Sequence, residues 1–192
     1  MILDIFKYFA KFPDKEGVKA MATMGSSSMS GYADLITWIN NLPDSGLIPD
    51  LKNYVYGQSL EELKSRIGNL YGSWLFVDYG EFSTTDSGNS MRTSEKIAIT
   101  IACKMNTTSD QLEKMLVAES TLQMLRNLYA RLIADAENGD LFFSSRENIK
   151  NSDIVPFVAS ELNSVGWTLM IDCDASDSLK IKELSRSFDT TR

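Results

Sequence analysis

The 192-residue chain contains no histidine. That absence removes the Ser-His-Asp and Cys-His nucleophile systems and every zinc site that needs an imidazole. Cysteine is nearly as scarce. Cys103 and Cys173 both fall in apolar, strand-like runs and are not spaced as a CxxC pair. They read as small buried hydrophobes in a reducing compartment, and a disulfide between them would need their strands to be neighbours in register. No apolar run approaches the ~20 residues that span a bilayer. The opening Met-Ile-Leu-Asp-Ile-Phe-Lys lacks a basic segment followed by an apolar one, so no secretory signal is expected. Basic residues are outnumbered, 19 Lys and Arg against 26 Asp and Glu, for a formal charge of −7. Phosphate neutralisation needs clustered Lys and Arg, so neither general nucleic-acid binding nor docking on an anionic membrane is expected. An acidic wall repels phosphate, which suits letting DNA pass without gripping it.

What the chain does contain is enough apolar material to fold. Hydrophobic residues make up 43% and charged residues 23%, too apolar a balance for disorder. A chain of this length buries roughly 70% of its unfolded surface, which fits one domain with room for an appendage. Ile2, Ile5, Phe6, Phe9 and Phe12 recur at helical spacing with Lys7 and Lys11 off the stripe, predicting an amphipathic helix over 1–12 that Pro13 stops. With few basic residues it suits docking on the protein's own body, or on a neighbouring subunit, better than on a membrane. A further helical turn or two is expected over 14–24 and a flexible Gly-Ser linker over 25–31, which lacks the Gly-Lys-Ser/Thr ending of a phosphate loop. Tyr32, Leu35, Ile36 and Ile39 mark a short helix ending near Leu42 and Pro43. Residues 43–58 read as a loop. Ser59 and Glu62 form a capping box for a helix with Leu60, Leu63, Ile67 and Leu70 on one face, closed by Gly72.

From residue 73 the pattern turns to strands. Residues 73–82 are rich in β-favouring types, and 83–95 read as a polar hairpin loop around Asp86-Ser87-Gly88-Asn89. Over 96–105, Ile97, Ile99, Ile101 and Cys103 alternate with Ala98, Thr100 and Ala102, whose small size implies close packing on the second face. Thr108 with Gln111 reads as a capping box, with Asp110 complementing the helix dipole. Leu112, Met115, Leu116, Leu122, Leu125, Leu128, Tyr129, Leu132 and Ile133 then form a stripe that Asn138 and Gly139 end. A helix over 109–137 is roughly 43 Å long and crosses the sheet. Leu141, Phe142 and Phe143 make a short apolar patch, followed by an apolar stretch over 153–158. A last strand over 166–173 alternates Trp167, Leu169, Ile171 and Cys173 against Thr168, Met170 and Asp172, before a polar tail. Trp38, Trp74 and Trp167 read as core or interface anchors, with Trp74 and Trp167 packing on the long helix. The expected fold is α+β: an antiparallel sheet against one long amphipathic helix. It divides into a helical N-terminal region (1–72), the α+β core (73–178) and the tail (179–192).

Candidate chemistry is sparse, and neither a catalytic residue nor a cofactor is expected. Asp172, Asp174, Ser176 and Glu183 fall at positions 1, 3, 5 and 12 of an EF-hand-type calcium loop, with Leu179 at position 8. Asp177 occupies position 6, where glycine is needed, and the run follows a strand, so it reads as an acidic strand exit. Asp78, Glu81 and Asp86 could pair as carboxylates, but their spacing fits a charged hairpin rim equally well. Ser94 and Ser120 have no neighbouring base motif, and Glu119 sits at the edge of the apolar stripe.

The succession carried by residues 74–82, 96–105, 109–138 and 166–174, strand, hairpin, strand, long helix and strand, resembles the small α+β subunits of tailed-phage necks, especially tail terminator (tail-completion) proteins. The resemblance implies a structural, non-enzymatic virion protein for head-tail joining. It implies a homo-oligomeric ring, possibly a hexamer, with other neck or tail proteins as partners, found in the virion or host cytoplasm. The hairpin would reach a neighbouring subunit, giving Asp86, Ser87, Gly88, Asn89, Met91 and Arg92 as interface residues, and sheet edges would pair across subunits. The competing expectation is a small-molecule or peptide binding domain with a pocket between the long helix and the sheet, lined by Trp74 and Trp167.

Overall fold

Ile97, Ile99 and Ile101 are all buried on one face of the same strand, and the rest of the molecule is arranged around that face. In the computed structural model, residues 2–21, 27–57, 64, 70–80, 82–86, 91–141 and 149–176 are described. Three short helices, α1 (Ile2–Phe9), α2 (Lys15–Met21) and α3 (Tyr32–Asn40), precede strands β1 (Asn53–Gly57), β2 (Ser73–Asp78), β3 (Phe82–Asp86) and β4 (Met91–Lys104). The long helix α4 (Gln111–Glu137) follows, then β5 (Ile149–Ala159), a 3-10 turn (Ser160–Leu162) and β6 (Ser164–Ser176).

These strands form one sheet in the order β1-β2-β4-β6-β5, with β3 also on β4. The fold is α+β, with a sheet that is mixed and not wholly antiparallel as expected: β1 runs parallel to β2. β1 itself falls where a loop is expected. Residues 83–95 are likewise not a loop. β3 pairs antiparallel with the first residues of β4, Phe82 opposite Glu95 and Asp86 opposite Met91. β4 therefore carries β2 and β3 end to end along one edge and β6 along the other. Cys103 lies opposite Val165 and Cys173 opposite Glu95 on that same pair of strands. Eight residues of register separate the thiols, about 26 Å, so no bridge can join them.

The second half of α4 lies over the helix-side face. Leu125, Leu128 and Leu132 are buried with Leu75, Val77, Leu169, Ile171 and Cys173, each leucine worth roughly 1.5–3 kcal/mol of burial. The helix starts at Asp110, whose side chain accepts from the Glu113 N–H at 2.8 Å. Asp110, and not the expected Thr108, is the cap residue. Helix α1 docks on the body as expected, with Ile5, Phe6, Tyr8 and Phe9 buried. Its Tyr8 hydroxyl donates to Asp135 of α4 at 2.9 Å, and Arg131 Nε donates to the other carboxylate oxygen at 2.7 Å. Removing the acceptor takes this hydrogen bond from a buried phenol. Asp135→Ala is therefore expected to cost about 2 kcal/mol, read as a lower urea midpoint, with Asp135→Asn costing less because its carbonyl still accepts. Equal midpoints for Asp135→Ala and the parent would show that the link contributes nothing.

The other face carries a smaller core of Val55, Trp74, Phe76, Ala102 and Leu162, with Leu70 and Phe157 against it. Trp74 stacks edge-on to Phe157 at 5.5 Å. It therefore packs away from α4, contrary to expectation, because residues 74 and 75 of one strand must point to opposite faces. Trp167 does meet the helix: its indole N–H donates to the Ala118 carbonyl at 2.9 Å.

Candidate interaction surface

Helix α4 changes character along its length. From Thr121 onward one face is covered by the sheet, with Met124, Leu125, Leu128, Leu132 and Ala136 buried. In the first turns the apolar residues are uncovered: Leu112 is 69% exposed, Met115 59% and Leu116 74%. The reason is geometric. At 100° per residue, Leu112, Leu116 and Glu119 project opposite to Thr121, Leu125, Leu128 and Leu132. The apolar stripe read as one band is two: a core face in the second half and an outward face in the first. Glu119 is exposed on that outward face, as is Ser120 nearby.

Beside this half of the helix lies a cavity of about 450 Å3 lined by Met105, Met115, Ala118, Val158 and Val165, with Lys114 among its polar residues. Val158, on β5, is 73% exposed. Neither Trp74 nor Trp167 lines this cavity, whose apolar walls are methionine, alanine and valine. A second concavity, about 590 Å3, opens on the sheet face opposite α4 between Asp78, Lys96, Ala98, Asp153, Met170 and Asp172. The alternating sequence did not reveal it, because it depends on which half of that face is left open.

The proposed carboxylate and calcium residues separate accordingly. Asp78 accepts a hydrogen bond from the Gly80 N–H at 2.8 Å. Asp78 lies opposite Ala98 and Asp86 opposite Met91 on β4, about 23 Å of strand apart, far beyond a glycosidase pair; Glu81 lies outside the described residues. Asp172, Asp174 and Ser176 are extended on β6 opposite Lys96, Ser94 and Arg92. An extended ladder cannot wrap a cation as an EF-hand loop does, and Glu183 lies outside the described residues. Among the described residues no group of three or more His, Cys, Asp or Glu side chains is placed to hold a metal ion. Burial raises the Cys103 thiol above its usual pKa, which disfavours the nucleophilic thiolate.

Of the interface residues, Asp86, Met91 and Arg92 stand on the β3–β4 ribbon; Ser87, Gly88 and Asn89 lie outside the described residues. Ser94 sits on the same ribbon opposite Ser83. β4 runs five residues past Lys96 with β3 on one side and the end of β6 on the other, carrying the sheet about 16 Å beyond Lys96. The outer sheet edges are less inviting. Helix α2 presses on the start of β1 so closely that a Cβ on Gly17 would fall 2.0 Å from the Lys52 carbonyl oxygen. β5 carries Pro156 and exposed Asp153 and has a register irregularity between Ile149 and Asn151. Proline, charge and irregularity are the devices that guard an edge against pairing with another chain. No helix among the described residues is long and apolar enough to cross a membrane. No family model matches the chain, and no curated protein matches it.

Proposed function

We propose that the chain is a structural, non-enzymatic subunit of a tailed-phage head-tail neck, similar to tail terminators, that assembles with copies of itself into a ring of about six and joins other neck or tail proteins. The observation that carries this reading is the arm formed by β3, the first residues of β4 and the end of β6. An arm projecting past the helix-covered part of a sheet is suited to the head-to-tail contact that closes a ring, where one surface meets a different surface on the next subunit. The guarded edges of β1 and β5 support an arm contact over the edge-to-edge pairing expected from the resemblance. The acidic balance of 26 to 19 suits a lumen that does not hold DNA. A virion or host-cytoplasm location goes with this reading.

Light scattering with negative-stain imaging tests it. Purified protein is expected to show end-on ring views. Replacing residues 84–93 by a two-residue Asn-Gly turn, which preserves a hairpin, is expected to abolish the rings while leaving the helical circular dichroism signal unchanged. Rings that survive the shortened arm, or no rings at any concentration and with no partner protein added, count against it. A second reading is favoured by the methionine- and valine-walled cavity, whose 450 Å3 falls in the range of small-molecule sites. On that reading the chain is a binding domain, and a ligand screen read by thermal shift would raise the melting temperature by mass action.

A further inference from the structure

Seven-residue spacing on the outward face of α4 puts Leu112, Glu119, Arg126 and Ile133 in one line. Leu112, Glu119 and Arg126 are exposed, as are Met115, Leu116, Gln123 and Ala130 beside them; Ile133 is half-buried. Neither Glu119 nor Arg126 takes part in an ion pair within the described part of the chain, unlike Arg131, which is held by Asp135. Two opposite charges therefore sit about 10.5 Å apart on one helix face, flanked by apolar residues toward both ends.

We propose that this face is a self-association surface on which α4 packs antiparallel against α4 of a second copy, about a twofold axis between Leu122 and Gln123. The register follows from the charges. With the axis there, Glu119 of each copy meets Arg126 of the other, forming two ion pairs. The same register sets Leu112 against Ile133 and Met115 against Ala130, twice each. Parallel packing in register would instead set Glu119 on Glu119 and Arg126 on Arg126, two like-charge contacts. Leu112, Leu116 and Glu119 point away from the sheet that covers the opposite side of α4, so two copies can approach along this face and bring large apolar side chains out of water. An isologous contact closes on itself. It pairs two chains or stacks two rings face to face, and it does not depend on the arm or on the neck reading.

The experiment is the solution mass of the full chain, by light scattering and sedimentation across a concentration series, with charge reversals. The parent is expected to contain an even number of 21.5 kDa chains. E119R or R126E alone turns two attractions into two repulsions and is expected to weaken the pairing about tenfold. The double variant E119R/R126E re-forms both ion pairs with their signs exchanged and is expected to return within about threefold of the parent. L112E/L116E buries four carboxylates in the contact and is expected to weaken it at least about 100-fold. All four variants alter exposed side chains, and unchanged circular dichroism shows that they fold. A parent that stays a single chain at high micromolar concentration overturns the proposal. So does an assembly that E119R and R126E leave unchanged, or one that the double variant fails to restore. If the shortened arm removes rings while E119R still halves the remaining mass, the neck contact and the helix contact have been separated.

Discussion

Above about pH 10 the protein is expected to lose stability at about 3 kcal/mol per pH unit as pH rises toward about 13. The cause is a set of tyrosines that hold α1 in place. Tyr54 on β1 donates its hydroxyl to the Phe6 carbonyl at 3.2 Å, Tyr56 donates to the Ile2 carbonyl at 2.6 Å, and Tyr8 of α1 donates to Asp135. Burial pushes the Tyr8 phenol far above its ordinary range, and the adjacent Asp135 carboxylate pushes it further. Burial raises Tyr54 strongly as well, and raises Tyr56 with help from neighbouring Tyr79. The folded chain therefore keeps protons that the unfolded chain releases above pH 10, so stability is full below that pH and falls as pH rises. Each suppressed tyrosine contributes about 1.4 kcal/mol per pH unit, giving about 3 for Tyr8 and Tyr54, with half-buried Tyr56 adding less. Two to three pH units therefore remove about 6–9 kcal/mol of a total of about 5–15 kcal/mol. Tyrosinate absorbance followed together with the helical signal is expected to show exposed tyrosines titrating first, then a cooperative step in which the rest ionise as the helix content falls. Tyr8→Phe and Tyr54→Phe are expected to flatten the pH slope. If all seven tyrosines titrate near pH 10 with the helical signal intact, the phenols are not what holds α1.

The same contacts show how much of this molecule could be read from its sequence. Strands β4 and β6 were legible because strict alternation in Ile97, Ile99, Ile101 and in Trp167, Leu169, Ile171 has one physical cause, a sheet buried on one face. The helices α1, α3 and α4 were legible from period and capping. β1 was not, because Asn53-Tyr54-Val55-Tyr56-Gly57 is short and lies between Pro49 and Gly57. Its parallel pairing with β2 is a choice made by tertiary packing. β3 was missed because Phe-Ser-Thr-Thr-Asp has no apolar alternation and is a strand only by pairing with β4. The interaction surface was half legible. The apolar residues of α4 were plain at 3.6-residue spacing, but periodicity cannot say which turns another element covers. Leu112 and Leu116 project opposite to Leu125 and Leu128, and the placement of the sheet decides that the second pair is the buried one.

Gly166→Ala is expected to cost about 3 kcal/mol or more, and Gly166→Val to prevent folding. Gly166 stands in the middle of the sheet, opposite Ala102 on β4 and Phe157 on β5. A Cβ there would lie 2.1 Å from the Ile101 carbonyl oxygen, 2.5 Å from the Ala102 Cα and 2.6 Å from its Cβ. Two of those three atoms are backbone of the strand on which β2, β3 and β6 all pair. Relief cannot come from a side-chain rotation. It requires β4 and β6 to separate, loosening a ladder that runs from Arg92–Ser176 to Lys104–Ser164, and interiors packed at crystal density have no slack for it. The small core of Trp74, Phe76 and Leu162 lies on the same face, so the displaced methyl has no void to enter. Ala102→Gly removes the 2.6 Å contact but not the carbonyl at 2.1 Å. The double variant Ala102→Gly/Gly166→Ala is therefore expected to recover part of the loss relative to the sum of the single changes, a coupling readable from urea midpoints. A midpoint for Gly166→Ala equal to that of the parent would mean that β4 and β6 lie farther apart at this point than the described geometry places them. Strict additivity of the two changes would mean that the Ala102 methyl is not what the new side chain meets.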